Sequence, residues 1–458
     1  MAIEGYTKSE FGEKLNKVVS ASQPIQSIQY LFGRERELDR IEKALYANGR
    51  HIFIFGDRGV GKSSLAATAA SQYQSPDMPY IDVSASPDST LASIVANIAY
   101  QAINATRLSK VKTSINKGFE FKWLKIGSSQ EVTPSDLYCE IRTLVDAVEV
   151  LREVAIVHSQ KPVVVLDEFD RIQDVQQRNL FADMLKHLGD KKIPIKFIFT
   201  AVGKTLEELL GAHQSAIRQL ETIELFRLDF TARWNIVETA LNEFNLTLDH
   251  NTNVRISLVS DGFPYYIHLI AEHMLWKAFE DVNLVTDVTK EHYQSGLREA
   301  IESIHAELKR PYEKVIHRQS DDYEEVLWST ADSEDLHRYV KDMYSSYTFI
   351  MRQRPHKKPL DQTTYGNRIR SLKLENCGTI LTPDETHKGM YSYREKMFRG
   401  YVRMQAEAHG IELAGDKLET PRAQIHIPAK IRQGYRGSSV PKGVQMGRGR
   451  DSAEWEID

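Results

Sequence analysis

"HIFIFGDRGVGKSSL", residues 51–65, sets an apolar run, Ile52 to Phe55, ahead of three glycines in six positions, then a lysine and two serines. A buried strand turning through a flexible loop into the apolar helix "SSLAATAASQY" accounts for that order. Gly56, Gly61, Lys62 and Ser63 meet the pattern G-x-x-x-x-G-K-[ST], with Asp57, Arg58, Gly59 and Val60 between them and Ser64 following. Each residue type suits an anionic ligand. Glycines let main-chain N–H groups close on phosphate oxygens, and the helix that follows turns its positive end to the anion. Lysine reaches the β- and γ-phosphates, and the Ser63 hydroxyl ligates Mg²⁺. An ordinary glycine-rich turn is the alternative, and the buried strand before the loop and apolar helix after it favour a phosphate cradle.

A hydrolytic site also needs a carboxylate at the end of a second buried strand. "PVVVLDEFD" (162–170) supplies one. Asp167 is expected to hold Mg²⁺ directly or through water, and Glu168 to orient and deprotonate the attacking water. The competing reading is a helix N-cap or a surface acid pair. Further strand candidates are "PYIDVSA" (79–85), "PIKFIFTAVG" (194–203) and "TIELFRL" (222–228). Several are continuous apolar runs, as strands buried on both faces of a parallel sheet require. "GFEFKWLKIG" (118–127) alternates instead and reads as an inserted hairpin or a half-exposed strand. Its Phe119, Phe121 and Trp123 are suited to packing on the core or to stacking on bases.

The 458 residues, at roughly 100–200 per domain, allow two to four domains. A net charge of −4 gives no general attraction to nucleic acid or to a membrane, so any such binding must come from a local patch. Two cysteines, Cys139 and Cys377, are too few and too distant for a disulfide framework or a metal knuckle. Neither a signal-peptide core nor an apolar run approaching the ~18 residues of a membrane span is present, so a cytoplasmic protein without a membrane partner is expected. The patterns divide the chain into a lead-in helix (1–29, helical over 7–22), an α/β core (30–230), a helical domain (231–310), an α+β block (311–412) and a tail (413–458). Between Pro421 and Arg450 the tail has five glycines, three prolines, seven Lys/Arg and no acid, a composition that predicts disorder.

The glycine loop, "VVVLDEFD", Thr200 at the end of "IKFIFT" and the upstream "LFGRERELDRI" together resemble AAA+ P-loop ATPases. The likeness is to Orc1/Cdc6-type initiators and to STAND-like bacterial ATPases. It implies ATP with Mg²⁺, a parallel-sheet core with a helical lid, and a winged-helix domain after the lid. By the same resemblance Phe32, Gly33 and Arg34 lie beside the adenine, and Thr200 senses the γ-phosphate. Arg218, just before the fifth strand, matches the position from which such proteins reach a neighbouring subunit's γ-phosphate; a plain surface arginine is the alternative. "SDGFPYYIHLIAEH" has no arginine at the helix start, where many AAA+ lids carry one. Its G-x-P, Gly262 to Pro264, is more like the STAND-type ATPases, in which the proline packs on the nucleotide. A slow switch is expected rather than a motor, with turnover dependent on assembly.

In "LDQTTYGNRIRSLKLENCG", Tyr365, Ile369 and Leu372 share one helical face, Asp361 or Thr363 caps the start, and Gly378 is the expected end. Thr364, Asn367, Arg368, Arg370 and Lys373 are left for the other faces. From Arg352 to Lys373, seven basic residues against Asp361 give +6 in 22 residues. A strand–turn–strand, "GTILTPDETHKGMYSYR", and an amphipathic helix, "EKMFRGYVRMQAEA", follow. By the resemblance this is a helix-turn-helix with a wing, whose second helix enters the major groove of duplex DNA. Contact with an effector or sensor protein is the competing use. The expected partners are therefore the chain itself, as a ring or filament, and duplex DNA or such a protein.

Overall fold

The structure is a computed structural model and describes residues 2–3, 5–108, 134–203, 218–318 and 322–413. The segment 118–127 and the tail beyond Leu413 lie outside the described residues. The helices of the first half are α1 (Lys8–Val18), α2 (Glu35–Tyr46), α3 (Lys62–Tyr73), α4 (Leu91–Leu108), α5 (Pro134–Glu140), α6 (Leu144–Val157) and α7 (Val175–Asp190). They surround five parallel strands, β1 (His51–Gly56), β2 (Ile81–Ser84), β3 (Val163–Asp167), β4 (Lys196–Val202) and β5 (Leu220–Leu225), in the order β2-β3-β4-β1-β5.

Every residue of β1 is buried, as its unbroken apolar run requires of a strand covered on both faces. Successive side chains divide between two cores. Phe53, Val164, Leu166, Phe197 and Phe199 pack with α4, α6 and α7. Ile52, Ile54, Val163, Val165, Ile198 and Ile223 pack on the side of α2 and α3. The strand expected over 222–228 instead ends at Leu225, because the next residues leave the sheet. Phe226 is exposed, Arg227 turns to Asp261, and the Leu228 N–H donates to the Gly262 carbonyl at 2.8 Å.

The lead-in helix, expected over 7–22, is α1 alone, started by a capping box between Thr7 and Glu10. Phe11 stacks on Phe279 at 4.3 Å between ring centroids, fastening α1 to a second group of helices. These are α8 (Phe230–Glu243), α9 (His250–Val259), α10 (Pro264–Phe279) and α11 (Lys290–Ser303). They are accompanied by the short parallel pair β6 (Thr247–Leu248) and β7 (Asp287–Val288). Pro264 opens α10 at the position where its missing N–H costs nothing.

The remaining elements are α12 (Ala306–Arg318), α13 (Tyr323–Ala331), β8 (His337–Tyr339), α14 (Val340–Arg352), α15 (Gln362–Ser371), β9 (Leu381–Pro383), β10 (Met390–Tyr393) and α16 (Lys396–Ala408). The strands form an antiparallel sheet in the order β8-β10-β9. Tyr365, Ile369 and Leu372 are buried here with Trp328 and Tyr347. Two expectations change, and one strand was not foreseen. Pro311 lies inside α12, and the helical break falls near Ile304 and His305. β8, three residues long, is too short to register as alternation. α15 stops at Ser371, and Gly378, with φ of +77°, instead closes a short turn over Glu375–Cys377. A Cβ at Gly378 would stand 3.1 Å from the Pro311 backbone.

The described residues make one compact unit. Among the described residues no helix is long and apolar enough to cross a membrane.

Candidate nucleotide site

The loop after β1 is shaped by its glycines. Gly56 has φ of +147°, and a Cβ there would stand 2.3 Å from the Leu225 carbonyl oxygen. Gly61, at +94°, turns the chain into α3 and carries the N-terminal end of that helix. Lys62 is buried, and its Nζ donates to the carbonyls of Gly56 (3.2 Å) and Asp57 (2.7 Å). Burial pulls its pKa below the ordinary lysine value, while Asp170, Asp167, Asp57 and Glu395 pull the other way.

The opposing acid comes from the end of β3. Thr200 Oγ1 is hydrogen-bonded to Asp167 Oδ1, which also accepts the Glu168 N–H at 2.9 Å. Glu168 itself takes a left-handed conformation, φ +56° and ψ +38°, which turns the chain sharply after the strand. Its half-exposed carboxylate meets Arg171 at 2.7 Å. Asp170 Oδ1 accepts the Val202 N–H at 2.7 Å, clamping the ends of β3 and β4 together.

Lys62, Ser63, Asp167, Glu168 and Thr200 line one cleft of about 300 Å³, with the loop from Arg58 to Ser64 as its floor. Leu31, Phe32, Leu228 and Ile236 line it too and supply an apolar surface. Pro264 closes in from α10: its Cγ lies 3.6 Å from where a Cβ on Gly61 would sit. Arg34 is buried and serves as a brace, its Nη2 donating to the carbonyls of Val60 (2.9 Å) and Phe226 (2.6 Å). Gly33 packs on Ala232, whose Cβ would be only 2.6 Å from a Cβ at this glycine. A polar, glycine-floored end beside an apolar end fits a triphosphate joined to a base. Among the described residues no group of three or more His, Cys, Asp or Glu side chains could hold a metal by itself. Ser63 and Asp167 both line the cleft beside the glycine loop.

Arg218 is not brought to this cleft. It sits in an exposed turn before β5, whose Leu220 pairs with His51, whereas the loop begins at the other end of β1. Five residues of strand, about 17 Å, separate the two levels.

Sequence reasoning missed what covers the loop from outside. Lys396 Nζ, at the start of α16, donates to Asp57 Oδ2 at 2.8 Å. The Met397 Sδ lies 2.4 Å from where a Cβ on Gly59 would be. One turn on, Arg399 donates to both oxygens of the fully buried Asp261 at 2.7 Å. Arg227 reaches the same carboxylate at 2.5 Å and Arg403 at 3.4 Å. Asp261 immediately precedes Gly262–Pro264, so the element that closes over the cleft is tied to α16. The signal available in the sequence was the stripe Lys396, Arg399 and Arg403 at helical spacing, hidden inside an otherwise amphipathic helix.

The strong positive patch expected around α15 is partly neutralised by acids that lie outside the counted stretch. Arg368 pairs with Asp322 (3.0 Å) and covers the Tyr323 ring; Arg354 meets Glu324 (3.2 Å) and Lys357 meets Glu325 (2.8 Å). Thr364 is held by Asp361 and Asn367 by Arg370. Arg370 and Lys373 remain exposed.

Residues 30–198 match the AAA ATPase domain family. Solved structures similar to the chain include the Walker-type ATPase paby2304 of Pyrococcus abyssi, at 14% identity over 83% of this chain and 99% of that one, TM-score 0.48. The Aeropyrum pernix Orc1 protein in complex with DNA is similar at 13% identity over 83% and 94%, TM-score 0.40. The Thermotoga maritima RuvB Holliday junction branch migration motor is similar at 12% identity over 84% and 98%, TM-score 0.40. Residues 30–198, which span the glycine loop and the acidic end of β3, thus form an AAA ATPase domain.

Proposed function

We propose that the chain is an ATP-driven switch whose nucleotide state governs how its C-terminal block is held, and through that block its assembly and its engagement of DNA or a partner protein. One observation carries this reading. Asp57 is shared: its carbonyl holds the P-loop lysine, and its carboxylate holds Lys396 of α16. A triphosphate that draws Lys62 away frees the Asp57 carbonyl and disturbs the residue on which α16 rests.

For hydrolysis, Ser63 and Asp167 would hold a Mg²⁺ ion, which would supply neutralisation of the charge developing on the phosphates. Glu168 orients and deprotonates water, and Thr200 keeps Asp167 in register while facing the terminal phosphate. Arg218, far from its own loop, acts in a neighbouring subunit, so turnover rises with assembly. The absence of arginine from α10 supports slow turnover.

The order helix, strand, two helices, two strands, helix from α13 to α16 supports a winged-helix reading of the C-terminal block. In that reading α15 meets duplex DNA with Thr364, Asn367, Arg370 and Lys373, and Arg368 joins them only by giving up Asp322. That pairing favours a second reading, in which the block meets an effector or sensor protein as in a STAND-like signalling or defence switch.

Measuring ATP turnover across protein concentrations, with and without duplex DNA, tests the proposal. Turnover that rises more than linearly with concentration is expected, and stimulation by DNA favours the first use of α15. A rate per chain independent of concentration, or no turnover at all, would contradict the switch as proposed.

A further inference from the structure

The cleft is short of positive charge for the ligand it suits. Among the described residues that line it, Asp167, Glu168 and Asp170 are acidic, and the basic side chains are Arg34, Arg58, Lys62 and His268. The Arg34 guanidinium is buried and engaged by the Val60 and Phe226 carbonyls. Burial lowers the His268 pKa to about 4, so that ring is neutral at physiological pH. With Pro264, Tyr265 and His268 as its cleft residues, α10 therefore brings no cation. Lys62 alone, facing three carboxylates, does not match a polyanion.

Arg58 is the cation left over. It stands two residues after Gly56 in the glycine loop, and its Nη1 donates to Glu307 Oε2, near the start of α12, at 3.0 Å. The two side chains are 59% and 71% exposed, so water screens the pair and it holds weakly. The guanidinium has not left the cleft's surroundings: its charge opposes the rise that burial gives the pKa of Tyr265. A phosphate group offers more charge than one carboxylate and oxygens spaced for the guanidinium fork, so it competes well for this arginine. Loop amides already serve the inner phosphates. The terminal phosphate, with the most charge and the fewest main-chain donors, is where a movable cation adds most.

We propose that Arg58 leaves Glu307 to bind the terminal phosphate, and is the side chain by which this site tells a triphosphate from a diphosphate. The inference rests on nucleotide binding in this cleft and goes further, to what reads the length of the phosphate chain. Glu307 is then the resting partner of that arginine. Because Glu307 belongs to α12, a triphosphate loosens one tie between the glycine loop and the C-terminal block, and a diphosphate leaves it in place.

The test is titration with Mg²⁺–ATP and Mg²⁺–ADP in the Glu168→Gln chain, which keeps ATP intact. Arg58→Ala, Arg58→Lys, Glu307→Ala and the Arg58→Ala, Glu307→Ala pair are compared in that background, beside nucleotide-free melting of each. Arg58→Ala is expected to weaken ATP about ten- to a hundredfold, the worth of a hydrogen bond to a charged group, and ADP less than about threefold. Arg58→Lys should recover part of the loss, since it keeps the charge without the fork. Glu307→Ala should tighten ATP by up to about fivefold with ADP unchanged, and should lose that effect once Arg58 is absent. Melting without nucleotide should stay level throughout, because both side chains are exposed. Equal losses for ATP and ADP in Arg58→Ala, no loss at all, or a gain from Glu307→Ala that persists without Arg58 would overturn the proposal. A parent chain that binds ATP while the variants change nothing refutes the role of Arg58 alone. One that binds neither nucleotide removes the reading beneath it as well.

Discussion

Asp57 and Lys396 meet carboxylate to ammonium at 2.8 Å across 339 positions of chain, one inside the phosphate-binding loop and the other opening α16. Both side chains are about one-third exposed, so the pair itself contributes only about 0–1 kcal/mol. Its importance lies in where it is. Lys396→Ala should change the melting temperature little while raising ATP affinity and turnover, because α16 then rests less firmly on the loop. Calorimetric ATP titration beside a melting curve checks both halves.

Asp261 should behave oppositely. It is fully buried among three arginines, and removing it strands their charge, at a cost of about 3–5 kcal/mol. Asp261→Ala is therefore expected to lower stability sharply in denaturant unfolding. Burial would raise the pKa of this carboxyl, but Arg403, Arg399 and Arg227 outweigh it and hold it below the ordinary aspartate value. A depressed folded pKa gives stability that is fully present above the unfolded pKa, near 4, and is lost as pH falls through the folded value. Wild-type stability should thus decline below about pH 4, and Asp261→Asn should flatten that part of the profile.

Glu168→Gln and Lys62→Ala should separate hydrolysis from binding. The first is expected to keep ATP affinity within about threefold while cutting turnover at least 10²-fold, as loss of a general base does. The second removes the cation of the cradle and should lose affinity itself. Single-turnover hydrolysis and equilibrium titration on the two variants give the comparison.

On α15, charge reversal distinguishes exposed cations from one held in an ion pair. Arg370→Glu with Lys373→Glu should weaken duplex DNA binding and, by removing two phosphate contacts, reduce the salt slope by about 2. Arg368→Glu should instead lower stability, since it opposes Asp322. DNA binding at several salt concentrations would detect the difference, and indifference to the double reversal would assign α15 to a protein partner.

The parallel sheet was legible because strands buried on both faces need continuous apolar runs, and Ile52–Phe55 of β1, Val163–Leu166 of β3 and Phe197–Phe199 of β4 are such runs. The glycine loop and Asp167 were legible because the phosphate chemistry needs those residue types at fixed spacing. The α16 contacts were not, since Asp57, Asp261, Lys396 and Arg399 are ordinary charged residues until folding brings them together. The positive count around α15 misled for the same reason: Asp322, Glu324 and Glu325 lie outside the window and across the fold.

The most direct test of coupling between the loop and α16 is a spin-label distance between Val145→Cys and Leu374→Cys, both exposed positions, with Cys139 replaced by serine and buried Cys377 retained. Measured in Glu168→Gln without nucleotide and with Mg²⁺–ATP, the distribution should lengthen or broaden on ATP, and Lys62→Ala should abolish the change. A distribution that is identical with and without bound ATP would contradict the account.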